Sequence, residues 1–560
     1  MTGVQTCALP IYLFPCLSYN KTPAFNTSKS GELWVMLIEK AYAKINGGFD
    51  NIVGGLIRET LKDLTGAPAI SFFNQEGTPE SHWNTIQDAD KNRFIMGCGS
   101  DDIKKSGNDS QDTATGLAGN HAYSLLGAYE IVDEGGRKRV LRQGEPSSPY
   151  NTRLVKLRNP WGEGEWKGDW GDKSYLWTPE LRREVGVSDE DDGVFCMPFN
   201  MFQKYFYDYQ VCYFYDDYKY SAQKFKSGTT DPTIIKFTIT SPGEYYFTVN
   251  QINRRMFRKT DGYTYSQLTL FVAKQENDGS FSYKGSVCKA DKEMWFKSSC
   301  QPGNYIAYVL TPWKRKVNEF SFSTYGPNTS EITNVPSSSL PSSFLECIMV
   351  EKAKADKKNL RTYADQGEPN IFYKFENGSD GLGFFYFSNK SGQSQLTATI
   401  EFTDLYDTDI LPPYSGTKPQ VIVSPNEDKV LLYRMNSSSS RANFKMMASF
   451  KKQVEDINRQ VKLKGTRLPR TDEFGNETGI NLYVFYHAEG LAALYENTSY
   501  YYSLVEDVRF YLRDCKIEGI SGSAVKARVG PGQSSLINIV KTGSTFAAQV
   551  TYCTYQISKA

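Results

Sequence analysis

Two short stretches, Gly119-Asn-His121-Ala-Tyr-Ser124 and Lys156-Leu-Arg-Asn159-Pro-Trp-Gly162, decide how this chain folds and what it can do. Each sits in a short apolar run punctuated by Gly or Pro, HAYSLLGAYEIV and RLVKLRNPWG, and a third run, FIMGCGS, precedes them. Such runs predict buried strands. His121 and Asn159 lie 38 residues apart (159 − 121). On neighbouring strands they fit the last two members of a Cys-His-Asn triad. In that arrangement the imidazole takes the thiol proton and stays paired with the thiolate. The Asn carbonyl accepts from the other ring N–H and so fixes tautomer and orientation. A neutral amide suffices because the stored state is already an ion pair, with the thiolate favoured by the adjacent imidazolium. Trp161 would shield the His–Asn bond from water, where it weakens. Taken singly, each stretch has a plainer reading: a satisfied core histidine, and an Asn-Pro turn.

Composition narrows the function classes. At 560 residues the chain is long enough for three or four domains. Lys plus Arg is 64 against 63 for Asp plus Glu, a net charge of +1, so there is no excess of cations to neutralise nucleic-acid phosphates. Mean hydropathy is −0.50, and no apolar run approaches the ~18 residues of a spanning helix, so no transmembrane segment is expected. Ten cysteines at irregular intervals, without a C-x-x-C pair, argue against zinc modules and disulfide frameworks and suit a reducing compartment such as the cytoplasm. Only His82, His121 and His487 can supply an imidazole. Tyr 37, Phe 33 and Gly 45 predict a strand-rich protein with many turns.

Along the chain, residues 1–11 (MTGVQTCALPI) read like the in-frame translation of a sequencing adapter and are set aside with Cys7, so the native chain is expected to begin upstream. Residues 12–217 predict an α+β region built around one buried helix, Glu32 to Ile45, with Ser28 and Ser30 as caps and Gly47-Gly48 as terminator. Residues 218–332 hold evenly spaced alternating runs, from TIIKFTIT to EFSFSTYG, and predict a β-sandwich. A Ser/Pro-rich stretch at 333–343, including NVPSSSLPSS (Asn334 to Ser343), predicts a linker. Strands resume over 344–451 as a second sandwich-like domain. A basic interval with a short helix, 452–479, predicts a further linker, and 480–560 forms a third β domain. The last two blocks read as one unit used twice. Phe375-Glu-Asn-Gly-Ser379 matches Tyr495-Glu-Asn-Thr-Ser499 at an offset of 120, and Val423-Ser-Pro425 matches Val529-Gly-Pro531 at 106. About 14 residues (120 − 106) would then be lost from the loop Asp407 to Pro419. Both are expected to be divergent copies of the first sandwich.

With ELWVMLIEKAYAKINGG and DLTGAP upstream, and RNPWG-x-x-EW and DDG-x-F-x-M downstream, the constellation closely resembles the calpain family of calcium-dependent cysteine proteases, over Phe14 to about Tyr215. The resemblance implies a partial papain-like protease core followed by calpain-type β-sandwiches, acting on protein substrates by limited intracellular proteolysis. It makes His121 the general base, Asn159 the orienting residue and Trp161 the shielding indole. It places the nucleophilic Cys ahead of FPC (Phe14 to Cys16), so Cys16 is not the nucleophile, Cys98 is a buried strand residue, and the chain as given is expected to be inactive. Asn120 stands where the family has Gly.

The resemblance further implies calcium, a hard cation that takes six to eight oxygens. Glu165, Asp172 and Asp192 become side-chain ligands, with Glu190 contributing its carbonyl and Val194 replacing an acidic ligand. Glu32 matches a ligand of a second site. The EF-hand pattern does not occur, so the family type implied lacks that module. Basic clusters at Asn253 to Lys259 and Lys314 to Lys316 would meet acidic phospholipid or the protease core. The competing class is a non-proteolytic scaffold binding membranes or partners through its sandwiches, which would have no need of His121, Asn159 and Trp161.

Overall fold

The computed structural model describes residues 14–559 except 21, 27–30, 104–109, 143, 228–231, 312–317, 342, 378–381, 437–438, 453–456, 489 and 500. The expected caps Ser28 and Ser30, the cluster Lys314 to Lys316 and the first eleven residues lie outside that set.

The first unit contains helices α1 (Trp34–Ile45), α2 (Ile57–Thr65) and α3 (Pro79–Lys91). Its strands are β1 (Ala69–Phe73), β2 (Ile95–Ser100), β3 (Ser110–Gln111), β4 (Ala118–Gly119), β5 (Ala122–Glu134), β6 (Arg137–Val140), β7 (Thr152–Arg158), β8 (Val194–Pro198) and β9 (Phe206–Cys212). The main sheet runs β1-β9-β2-β5-β7-β8, with β6 added to β5, and its pairings are antiparallel. Register does the positioning. Ser124 of β5 pairs with Arg158 of β7. The residue just before β5 and the residue just after β7 therefore meet at one end of two neighbouring strands. Those residues are His121 and Asn159.

The buried helix of this unit is α3, not the expected Glu32 to Ile45. Thr78 and Ser81 exchange side chain-to-backbone hydrogen bonds as a capping box, and Pro79 occupies the first turn, where no N–H is needed. His82, Trp83, Ile86 and Ala89 then face the sheet at helical spacing. In α1 only Met36 and Ala43 are buried, while Leu33, Trp34, Ile38 and Ile45 are exposed, because its apolar residues spread around the helix rather than along one stripe. It ends as expected at the Gly pair, with Gly48 N–H donating to Ala43 O at 2.8 Å.

Past Asp217, two sheets face each other across one core. One runs in the order 219–226, 319–326, 243–251, 293–300, and the other 281–289, 268–275, 303–310, 233–239, 331–335. Phe237, Phe247, Leu270, Tyr305 and Phe322 fill the space between them. The basic cluster Asn253 to Lys259 meets the first unit, where the Arg255 Nη1 donates to Asn51 O at 3.4 Å.

Neither expected linker is one. Asn334 pairs with Ile235 inside the strand Glu331–Val335. The Ser/Pro run then leads into a helix, Phe344–Ala355, whose Phe344, Ile348, Met349 and Ala353 are buried between Phe281 and Ile306 on one side and Phe384 and Leu432 on the other. Burying such side chains stabilises by roughly 1.5–3 kcal/mol each, which ties the two β units together. The basic interval likewise holds a helix, Ile457–Lys464, packed on Ala492 and Leu494 through Val461, and a strand, Thr466–Thr471, that pairs with Glu477–His487. It belongs to the last unit.

The internal repeat is visible in topology, but in a different register from the one the short matches gave. One sheet of the middle unit runs 361–363, 368–376, 382–389, 428–435, 408–410, and the other 420–423, 394–406, 441–452. The last unit repeats both orders as 466–471, 477–487, 490–497, 534–541, 515–517, and 524–529, 502–513, 547–559. Phe375 and Tyr495 lie on non-equivalent strands. The equivalent pair is Asn389 and Asn497, 108 apart (497 − 389), so the two copies differ by two residues up to Val423 and Val529 (108 − 106), not fourteen. The first β unit is no copy of these. Its consecutive strands Thr233–Ile239 and Gly243–Gln251 lie in opposite sheets, whereas 368–376 and 382–389 are hydrogen-bonded neighbours.

A shared Asn-x-Ser corner explains what the repeat retains. The buried Asn389 amide donates to Ser394 O (2.6 Å) and Val423 O (3.1 Å), and its Oδ1 accepts from Ser391 N–H (3.0 Å). Asn497 does the same with Tyr502 O (2.7 Å), Val529 O (3.2 Å) and Ser499 N–H (3.0 Å). Each amide stitches one sheet to the other. Asn389→Ala or Asn497→Ala strands buried carbonyls and is expected to lower stability by about 1–3 kcal/mol in denaturant titration; a change below a few tenths would show that the corner is not needed.

Candidate active site

His121 Nε2 lies 3.1 Å from Asn159 Oδ1. The direction of the Asn159 amide is set independently. Its Oδ1 also accepts from Trp161 N–H (3.1 Å), its Nδ2 donates to Gly164 O (3.2 Å), and its own N–H donates to Gly193 O (2.8 Å). A carbonyl oxygen facing the ring makes Nε2 the protonated nitrogen, which leaves Nδ1 as the basic one. Asn159 is fully buried, and the Trp161 ring lies 4.4 Å from the His121 ring, centroid to centroid. Gly193 must approach closely, since a Cβ there would stand 2.8 Å from Asn159 O, and its φ is +83°. Asn120 adopts φ +51°, the left-handed conformation that Asn tolerates better than other side chains.

The cysteines stand elsewhere. Cys98 is buried in β2, its Sγ 3.9 Å from Tyr123 O, and burial pushes its thiol well up. Burial pushes Cys196 up to about 12. Cys16 is exposed, with Sγ 3.4 Å from Phe14 O. A thiol held neutral is no nucleophile at neutral pH.

Among the described residues, no three His, Cys, Asp or Glu side chains are grouped closely enough to hold a metal. Two of the acidic residues, Glu165 and Asp172, nonetheless stand side by side. Asp172 is 3% exposed, and both its carboxylate oxygens are buried without a hydrogen-bond partner. Burial, then the negative charge of Glu165, push it up to about 8. Burial also raises Glu165, although its Oε1 accepts from Gly193 N–H at 2.8 Å. The two line a cavity of about 640 Å³, and the other acidic residues on its wall are Asp169, Asp189 and Asp191, with Glu190 and Asp192 outside it. Asp192 Oδ1 accepts from Val194 N–H (2.8 Å), and Glu190 O from Asp192 N–H (2.9 Å). Asp189 and Asp191 were legible only as members of an acidic run. Glu32 is exposed, accepts from Trp34 Nε1 (3.0 Å), and belongs to no metal-holding group. An orphaned carboxylate beside a second one fits a hard cation.

Residues 12–213 match a family model described as calpain family cysteine protease. This segment belongs to the calpain family. It is 34% identical over 212 residues to the calpain-type cysteine protease ADL1 of Oryza sativa subsp. japonica, covering 36% of this chain and 9% of that protein. It is 32% identical over 190 residues to calpain-9 of Mus musculus, and 33% identical over 190 residues to the calpain-2 catalytic subunit of Bos taurus, each time covering 33% of this chain and 25% of the relative. The chain thus spans a quarter or less of the length of these calpains. Among solved structures, an uncharacterized protein from Burkholderia cenocepacia overlaps at a TM-score of 0.16 and 11% identity, over 41% of this chain and 81% of that one, and carries no argument.

The raised Asp172 has a pH signature. Its folded pKa lies above the ordinary aspartate value of about 3.9, so the stability it contributes is complete below about pH 4 and is lost as pH rises through about 8. A calcium ion bound to the ionised form would reverse that loss. Melting curves between pH 5 and pH 8.5, with and without millimolar calcium, should show a smaller decline and no calcium response in Asp172→Asn. A variant with the parent's slope and the parent's calcium shift would remove Asp172 from the site.

Proposed function

We propose that residues 14–213 supply the His-Asn half of a calcium-dependent cysteine endopeptidase. The observation that supports it is the Nε2–Oδ1 contact, with the amide direction set by Trp161 N–H and Gly164 O. In that role His121 Nδ1 takes the proton of a cysteine thiol. The thiolate attacks the substrate carbonyl, and the imidazolium returns the proton to the departing amine. Asn159 keeps the ring from turning through these two transfers, and Trp161 keeps water from the Nε2–H bond.

Glu165 and Asp172, with the Asp189 to Asp192 loop, would hold calcium, whose charge permits both carboxylates to stay ionised. That loop runs directly into Gly193, whose carbonyl accepts from Asn159 N–H and whose N–H donates to Glu165 Oε1, so relief of the acidic charge there would steady the backbone beside Asn159. The substrates are proteins and the compartment is the cytoplasm, in keeping with cysteines that form no disulfide among the described residues. No described helix is long and apolar enough to cross a membrane. The two-sheet unit over 218–332 is the calpain-type β-sandwich, and its Arg255 side docks on the protease unit.

In this reading the nucleophile is a Cys ahead of the stretch that starts at Phe14. The 560-residue chain by itself is therefore expected to leave casein intact at any calcium concentration, and calcium-dependent cleavage by purified chain would overturn the assignment. In a longer polypeptide carrying a Cys in a Gln-Gly-x-x-Gly-x-Cys-Trp-like segment upstream, Asn159→Ala should lower kcat by about 10²–10⁴. Ser or Gly at that Cys position would instead mark a non-proteolytic scaffold.

A further inference from the structure

His121 is held by more than its ring. Ser100, the last residue of β2, is 1% exposed and grips the His121 main chain at both ends. Its N–H donates to His121 O (2.9 Å), and its Oγ accepts from His121 N–H (3.0 Å). The same hydroxyl donates to Ala118 O (2.7 Å). A second hydroxyl, that of the buried Tyr123, accepts from Ala118 N–H at 2.8 Å. The turn Ala118 to His121 is thus pinned by two buried hydroxyls and wrapped tightly over the chain that follows β2. Gly119 faces that chain so closely that a Cβ would lie 2.9 Å from Ile103 N and 3.0 Å from Asp101 O. Asn120, left-handed at φ +51°, donates its N–H to Asp101 O (3.1 Å).

We propose that Ser100 is a positioning residue for His121, with the Tyr123 hydroxyl supporting the same turn. The proposal rests on His121 and Asn159 being the catalytic pair. The physical argument concerns degrees of freedom. Asn159 fixes where Nε2 points, but a single hydrogen bond at the ring edge allows the ring to pivot about it. Fixing the direction of the Cα–Cβ bond as well removes that pivot, and that direction is set by the backbone at 121. The strand pairing begins only at Ala122, which pairs with Gly99. Residue 121 itself lies outside the ladder, and Ser100 replaces the missing ladder bonds with one from its backbone and one from its side chain. Removing the hydroxyl leaves a His121 N–H without this acceptor, and lets the turn shift while Asn159 is untouched.

The chain contains only three histidines, so selective ¹⁵N-histidine labelling resolves His121 without assigning the whole protein. The measurement is the exchange rate of the His121 Nε2–H proton, with the amide protection of Cys98 and Leu125, followed on the same variants by hydrogen-exchange mass spectrometry, as a fold control. In Ser100→Ala the Nε2–H is expected to exchange at least about tenfold faster, with protection at Cys98 and Leu125 within about twofold of the parent. Tyr123→Phe should give a smaller acceleration of the same kind, and it stands in for Ser100→Ala should that variant fail to fold. Asn159→Ala separates the two levels of the account. If it leaves Nε2–H exchange unchanged, the His–Asn pairing is absent, and the catalytic reading falls with this proposal. If Asn159→Ala accelerates exchange while Ser100→Ala and Tyr123→Phe do not, the pairing stands and the positioning role is overturned.

Discussion

One hydrogen bond between two strand ends, from the ring of His121 to the side chain of Asn159, depends on the register and packing of the whole first sheet. It exists because β5 and β7 pair in one register, Ser124 opposite Arg158. A slip of one residue would carry every inward side chain to the outer face, so the apolar alternation that makes the core also aims the site. Tyr123 and Leu125 on β5, with Val155 and Leu157 on β7, are all buried in the cluster that seats α3. Packing and chemistry here share one cause.

Beyond the protease unit, rigid attachment comes from elements that first looked like spacers. The helix Phe344–Ala355 lies between a sheet of the first β unit and a sheet of the second, and its apolar side chains belong to both cores. The helix Ile457–Lys464 instead packs within the last unit, on Ala492 and Leu494 through Val461. The chain repeats a helix followed by eight strands, and the Asn-x-Ser corner recurs because it satisfies buried carbonyls of both sheets with one amide.

Legibility in the sequence followed how local the physics was. His121, Asn159 and Trp161 could be found because their residue types and order carry the chemistry, and the strands around them showed as short apolar runs. The helix α3 went unseen although Thr78, Pro79 and Ser81 spell its start, because its buried side includes His82 and only Trp83, Ile86 and Ala89 mark an apolar face in the otherwise polar PESHWNTIQDADK. The Ser/Pro run concealed a helix start, since flexible composition says nothing about what packs on the residues after it. The repeat register was misjudged because a five-residue likeness, Phe375 with Tyr495, outweighed the hydrogen-bonding role of Asn389, which only a folded chain displays. Ser100 could not be singled out at all: a serine at a strand end is ordinary until its hydroxyl is seen between His121 N–H and Ala118 O.

The acidic pair Glu165 and Asp172 marks where the fold alone is least at ease, with a carboxylate buried and unpaired beside another. It sits across Gly193 from Asn159, so whatever relieves that charge acts close to the His121–Asn159 pair. The pair itself is the point to measure. A double-mutant cycle of His121→Ala and Asn159→Ala, read by denaturant unfolding, isolates their interaction from their separate packing. A coupling of about 0.5–1.5 kcal/mol is predicted for a shielded hydrogen bond; strictly additive effects would mean that the ring and the amide do not meet.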